Sequence, residues 1–229
     1  MQQTSSPGPA PVLPFGEPTP LGLLGLAIGC GSLLPIAFGM IPAEPARAAA
    51  MFATASWFCL LFGAGCQFLA GVMSLANKNT LGGTLLTTFS FNWVMNWYAL
   101  SEASQGRMVD PTVGFAVDLT FIVIFVVLTY AFGFYSKLLF FFLLDIDALY
   151  LLRIARHLLG HDHALYGALG IGVAIATLVL MALALYISFA LLVNPAAGRP
   201  VFPMGGALFQ PAPPPAAAVA VPHPASRAA

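Results

Sequence analysis

Charged residues are scarce in this sequence. Only 7% of its 229 residues are Asp, Glu, Lys or Arg, with eight of each sign, whereas 59% are hydrophobic. A soluble domain carries about 25% charged residues, because a surface in water needs many polar groups. The composition therefore predicts a protein that exposes most of its surface to a lipid bilayer. It excludes a cytosolic enzyme and a secreted disulfide scaffold, and the lack of a basic excess excludes a nucleic-acid binder.

Cysteine is rare, and catalytic motifs are lacking. Cys30, Cys59 and Cys66 lie in apolar runs without the spacing of a zinc site, so we interpret them as small packing residues. His157 and His161 are four residues apart, as two metal ligands on a helix can be, but no glutamate completes a known signature. We expect a polar loop there, and neither a metal, a cofactor nor an enzymatic activity.

Prolines mark two tails. Fifteen of the nineteen prolines lie in residues 1–20 and 194–229. Stretches rich in Pro and Ala cannot bury enough apolar surface to fold. We therefore predict a flexible N-terminal tail (1–16), a membrane domain (17–205) and a disordered C-terminal tail (206–229).

Six apolar runs, separated by short polar breaks, fill the region between the tails. A span needs about 20 apolar residues, and five of the six runs have this length. The exception is the fifth run in chain order, 138–152, which reaches it only if 136–156 is counted. The sequence thus predicts an all-α, multi-pass protein of the cell membrane, with six transmembrane helices and both termini on one side. Basic residues are divided equally between the two sides, so charge does not orient the chain. The runs are 21–41, 48–76, 81–100, 112–136, 138–152 and 164–193.

Small and polar residues recur at helical spacing. Gly25, Gly29 and Gly71 have the spacing typical of close helix contacts in membranes. In the third run, Thr84, Thr88 and Asn92 recur every four residues and so share one face. That face fits either a wet path or a polar neighbouring helix.

Two acids in the fifth run are costly in a bilayer. Asp145 and Asp147 are two residues apart, about 200° around a helix, so they cannot share a face. We predict that one faces the interior, with a possible role in proton-linked transport, while the other lies on a flank within reach of Arg153 or Arg156. A purely structural role for both, as an ion pair or a neutral acid, is the alternative.

Four short motifs, in order, resemble those of the acetate uptake transporters, the family of bacterial succinate–acetate permeases and fungal acetate transporters. They are E-P-T-P-L-G-L at 17–23, Q-F-L-A-G at 67–71, N-T-L-G at 79–82 and G-R-P-V-F-P at 198–203. Glu17 stands where the family has asparagine. With the polar face of the third run, the motifs give the predicted polar and entrance positions of a substrate path: Pro18, Thr19, Pro20, Leu21, Gly22, Gln67, Asn79, Thr80, Thr84, Thr88 and Asn92.

The resemblance implies a six-helix protomer in a homohexamer, with cytoplasmic termini and a path for small monocarboxylates such as acetate in each protomer. It also implies a hydrophobic constriction, which falls by motif offset on Leu26, Phe89 and Leu144. Leu26 replaces an aromatic residue of the family and Phe89 replaces a tyrosine. These differences suggest either a wider, less polar gate or a family member whose substrate is no longer acetate.

Three functions remain open at this point. The leading interpretation is a membrane channel or proton-coupled transporter for acetate or another short monocarboxylate. The alternatives are a transporter for ammonium or a small neutral solute, and a membrane scaffold whose Pro-rich tails recruit partners. The polar face of the third run favours transport.

Overall fold

Six helices make up the regular structure of residues 14–210, which are the residues that the computed structural model describes. The second is continuous but contains a π-helical segment, Cys59–Cys66. The helices are α1 (Thr19–Ala37), α2 (Pro45–Ala76), α3 (Thr80–Ser104), α4 (Pro111–Phe132), α5 (Lys137–Leu159) and α6 (Tyr166–Ala197).

Short polar side chains cap the first turn of three of these helices: Asn79 for α3, Asp110 for α4 and Ser136 for α5. The Oδ1 atom of Asn79 accepts a hydrogen bond from the Gly82 amide (3.0 Å) at the start of α3. Asp110 does the same for two amides of α4, where Pro111 takes the first helical position. Such side chains satisfy amides that have no partner within the helix. The helix boundaries therefore follow from local sequence.

Four of the six helices in the described part of the chain are long and apolar enough to cross a membrane: α1, α2, α4 and α6. The fold is thus that of an all-helical, multi-pass membrane protein. The other two, α3 and α5, are too polar to qualify by composition. The third carries Thr and Asn residues along its length, and the fifth carries Asp145, Asp147, Arg153 and Arg156.

The helices pack as an antiparallel bundle. Helix α1 lies against α2 and α6, α2 against α3, and α5 against both α4 and α6. Aromatic contact joins α3 to α4, where the Phe89 ring meets Phe125 edge-on at 5.1 Å. Glu17 and Met204 line one cavity, so both ends of the described chain lie at the same end of the bundle.

Glycines let the helices approach closely, as predicted for Gly25, Gly29 and Gly71. A Cβ at Gly25 would collide with Cys66 in the π-helical segment, and one at Gly71 would collide with Thr87. A Cβ at Gly29 would lie 2.9 Å from the Trp93 ring. The prediction that these three glycines lie at helix contacts is confirmed.

The packed region extends further than the predicted domain at its C-terminal end. Residues 206–210 were expected in a disordered tail, but the Lys137 amide donates to the Gly206 carbonyl (2.9 Å), and the Leu208 amide donates to Gly133 (2.8 Å). Phe209 packs among Tyr130, Phe134 and Phe140. The tail prediction is therefore wrong for these residues, because one aromatic side chain gives them an apolar contact. The rest of that tail, 211–229, lies outside the described residues.

A similar correction applies at the N-terminal end. The side-chain amide of Asn77 donates to the Phe15 and Gly16 carbonyls and its oxygen accepts from the Phe15 amide, all within 3.2 Å. Those two residues, predicted as tail, are thus fixed to the end of α2. Residues 1–13 lie outside the described part of the chain.

Candidate functional site

Two cavities lie within the bundle, one near each end. The first, here the motif cavity, has a volume of about 150 Å³ and contains residues of the 17–23 and 79–82 motifs. Its polar side chains are those of Glu17, Thr19, Asn79 and Tyr135, and the rest of its lining is mostly apolar, with buried residues such as Leu23 and Phe142. The Glu17 carboxylate accepts from the Thr19 amide (3.0 Å) at the start of α1.

The second, here the arginine cavity, has a volume of about 260 Å³ and lies between α1, α3, α5 and α6. Arg153 and Arg156 line it together with Asn92, Asn96 and Tyr150. The Tyr150 hydroxyl donates to Oδ1 of Asn92 (3.2 Å), which ties α5 to α3. This cavity therefore combines amides, a hydroxyl and two cations, a set suited to a hydrated anion.

Three apolar residues, here called the plug, lie where α1, α3 and α5 pass from the motif cavity to the arginine cavity: Leu26, Phe89 and Leu143. On α1, Leu26 lies between Leu23 of the motif cavity and Cys30 of the arginine cavity. All three plug side chains belong to one core cluster and are at most 5% exposed. The two cavities thus lie on either side of a packed hydrophobic layer.

The structure does not bring the predicted Leu144 together with Leu26 and Phe89. Leu144 is 42% exposed, whereas Leu143 is fully buried in the core cluster. Neighbouring residues on a helix are about 100° apart, so an error of one position in a motif offset turns a side chain away from the path. Leu143, not Leu144, shares the core cluster with Leu26 and Phe89.

The predicted entrance positions are spread over several environments. Thr19 and Asn79 line the motif cavity, whereas Pro18, Pro20 and Gly22 are buried in helix packing and Leu21 is exposed. Gln67 is also buried, and its Oε1 atom has no hydrogen-bond partner among residues 14–210. The motif at 17–23 therefore contributes both packing and lining residues.

The polar face of α3 does not line one continuous surface. Thr80 and Thr84 lie in an open groove with Lys78 and Tyr135, and Thr88 is half-buried. Of that face, Asn92 alone is among the residues lining the two described cavities. Residues four apart are rotated by about 40° around a helix, so a face at this spacing turns gradually from the groove toward the interior.

Asp145 and Asp147 point to different sides of α5, but neither lines either cavity. Asp147 is buried and accepts a hydrogen bond from the Thr129 hydroxyl (2.7 Å) of α4. Asp145 is half-buried. Arg153 is paired with Asp118 of α4 (3.0 Å), so the expectation that Arg153 reaches one of the two acids is wrong. The carboxylate that pairs with Arg153 therefore comes from the neighbouring helix α4 and not from α5 itself.

Three residues of the arginine cavity were not predicted as lining residues: Tyr150 lies in none of the four motifs, and Arg153 and Arg156 follow the fifth apolar run, 138–152. Their three-residue spacing was the available signal: Ile146, Tyr150, Arg153 and Arg156 recur at helical intervals and form one face. Extending that periodicity past the last apolar residue would have placed both arginines on the same face as Ile146 and Tyr150.

Known proteins share this architecture. A solved structure described as that of the bacterial acetate channel SatP superimposes with a TM-score of 0.71, covering 83% of this chain and 99% of that chain at 19% sequence identity. The resemblance to the acetate uptake transporters is therefore confirmed in the fold.

Two curated fungal proteins match part of the sequence. The Glyoxylate pathway regulator of Yarrowia lipolytica is 33% identical over 105 residues, which cover 45% of this chain and 36% of that protein. The Ammonia transport outward protein 2 of Saccharomyces cerevisiae is 30% identical over 115 residues, 47% of this chain and 39% of its own length. The matched segments thus span well under half of both relatives. No protein-family model matches the chain.

Proposed function

We propose that this protein is a membrane channel or transporter that conducts acetate or another short monocarboxylate through each protomer. The observation that carries the proposal is the pair of cavities separated by the plug of Leu26, Phe89 and Leu143, in the fold of an acetate channel. The path runs from the motif cavity, past the plug, to the arginine cavity.

The chemistry of this path suits a small carboxylate. An anion that leaves water needs polar groups to replace its hydration, and an apolar constriction limits the leak of other solutes. Arg153, Arg156 and the amides of Asn92 and Asn96 supply the polar groups on one side of the plug. Acetate offers one methyl group to the apolar layer and two oxygens to the donors.

Ammonium is the second candidate, favoured by the name of the yeast relative. The two guanidinium groups in the arginine cavity count against a cation. A scaffold without transport would need no cavity lined by paired polar groups, such as Tyr150 and Asn92.

We further propose that all six helices cross the membrane and that six protomers assemble. Helices α3 and α5 contain 25 and 23 residues, a length of about 35 Å at 1.5 Å per residue, and they lie inside the bundle next to the apolar helices. The outer faces of α2 and α4 present large apolar side chains, including Trp57, Leu61 and Val127. Such faces fit lipid or a second protomer, which native mass spectrometry of the detergent-solubilised protein would distinguish.

The deciding experiment is the uptake of radiolabelled acetate into proteoliposomes. We expect uptake well above that of empty vesicles, inhibited by unlabelled short monocarboxylates and unaffected by ammonium. Inhibition by ammonium alone would favour the second candidate. Absence of uptake by correctly assembled protein would overturn the proposal.

A further inference from the structure

A third cavity meets the arginine cavity at Arg153 and Arg156. This histidine cavity has a volume of about 450 Å³ and is lined by α4, α5, the loop after α5 and the start of α6. Both arginines line both cavities. They therefore stand where the proposed path opens toward that end of the bundle. The charged and titratable groups of the histidine cavity are Asp110, Asp118, Arg153, Arg156, His157, His161 and Tyr166.

Most of these groups already have partners. Arg153 is paired with Asp118, and the Asp110 carboxylate accepts from two amides at the start of α4. The His157 ring stacks on Phe115 at 4.3 Å, and Nε2 of His161 lies 3.2 Å from the Tyr166 hydroxyl. Asp110 is engaged by the helix amides and Asp118 by Arg153, so Arg156 is the cation of this junction that has no direct carboxylate partner among residues 14–210.

Arg156 is held in place without an anionic partner. Its guanidinium lies over the Tyr166 ring, 4.2 Å from the centroid, a cation–π arrangement. Within residues 14–210, no carboxylate lies within ion-pair distance of Arg156, and its buried Nε atom has no hydrogen-bond partner. A Cβ at Gly170 would lie 3.4 Å from Cζ of Arg156, so the guanidinium lies close to α6 at this glycine.

We propose that Arg156 binds the carboxylate of the transported anion at the junction of the arginine and histidine cavities. The proposal rests on the proposed function. A planar guanidinium can donate two parallel hydrogen bonds to a carboxylate, and the ring of Tyr166 fixes its plane before the anion arrives. Arg153, held by Asp118, adds a neighbouring donor without competing for the anion. Arg156 is thus the specificity-determining group for a carboxylate over a neutral solute.

Chemical modification tests this binding without measuring transport. Phenylglyoxal reacts with arginine, and peptide mass spectrometry of the purified full-length protein reports the modified positions. We expect sodium acetate to slow modification of Arg156 several-fold relative to sodium chloride at equal ionic strength. Arg47 is the internal control, because it lines a separate groove between α1 and α2. Equal rates at Arg156 in both salts would overturn the proposal.

Uptake by variants provides the second test. We expect Arg156→Gln to raise the KM for acetate about tenfold, the effect of losing a charge-assisted hydrogen bond, and Arg156→Lys to restore part of it. Arg47→Gln should behave as wild type. Wild-type protein that takes up no acetate would refute the proposed function itself. Wild-type uptake with an unchanged KM in Arg156→Gln would refute only the role of Arg156.

Discussion

The carboxylate of Asp118 lies 3.0 Å from the Arg153 guanidinium and joins α4 to α5 beside the arginine cavity. Asp118 is buried and Arg153 is only about one-third exposed, so this pair is more shielded from solvent than the Glu102–Arg107 pair at the end of α3. Removing one partner of a shielded pair leaves the other charge without compensation.

The first prediction concerns the stability of that pair. Asp118→Asn should lower the melting temperature of the detergent-solubilised protein, because Arg153 keeps its charge and loses its anionic neighbour. Glu102→Gln, which breaks the exposed pair, is the matched control and should change the melting temperature little. Equal effects of the two substitutions would show that the Asp118 pair adds no particular stability.

The second prediction concerns the width of the plug. Phe89→Ala should increase uptake of carboxylates larger than acetate, such as butyrate, because it removes a ring that packs edge-on against Phe125. Phe91→Ala is the control on the same helix, since Phe91 is 55% exposed and Phe89 only 5%. The ratio of butyrate to acetate uptake should rise for the first variant alone. An unchanged ratio in folded Phe89→Ala protein would contradict a plug at this position.

The third prediction separates two neighbouring leucines. Leu143→Ala should cost about 2–5 kcal/mol of stability, as buried large-to-small changes do, and should also widen the path. Leu144→Ala should leave both the melting temperature and the selectivity close to wild type. Altered selectivity in Leu144→Ala, with Leu143→Ala like wild type, would instead place Leu144 at the constriction, as the motif offset predicted.

Much of the fold could be predicted from the sequence because helices in a bilayer are bounded by residues with local preferences. The starts of α3 and α4 depend only on a few consecutive residues: the capping side chains of Asn79 and Asp110, and Pro111 at the first helical position. The location of Gly25 and Gly71 at helix contacts could also be predicted, because small residues in apolar runs favour close helix packing. Such features need no knowledge of which helix lies next to which.

The site was harder to predict because its geometry depends on helix neighbours. The pairing of Arg153 with Asp118 requires α4 beside α5, and no local pattern specifies that. Leu144, the residue expected with Leu26 and Phe89, is exposed, whereas its neighbour Leu143 packs in their core cluster. Phe209 packs on the turn between α4 and α5. The Pro- and Ala-rich composition of the tail gave no indication that residues 206–210 pack against the bundle.

The fourth prediction concerns Asp145 and Asp147, the proposed proton-linked residues. Because neither lines the two cavities, we expect Asp145→Asn and Asp147→Asn each to keep the wild-type dependence of acetate uptake on pH. Asp147→Asn should lose stability, since Asp147 accepts a hydrogen bond from Thr129. A shifted pH profile in either folded variant would instead assign that acid to proton-linked transport.

The last prediction concerns Asp110, which lies before α4 and outside the spans. Hydrogen bonds from the Val113 and Thr112 amides hold the pKa of its carboxyl below the ordinary value. A carboxyl whose pKa is lower in the folded state stabilises that state above its unfolded-state pKa of about 4, and this stabilisation is lost as the pH falls through the folded-state value. Asp110→Ala should therefore melt below wild type at pH 6, with the difference shrinking toward pH 3. Asp110→Asn, whose side chain can still accept the same hydrogen bonds, should lie between the two at pH 6. A difference between wild type and Asp110→Ala that stayed constant from pH 6 to pH 3 would show that the charge of the carboxylate does not contribute.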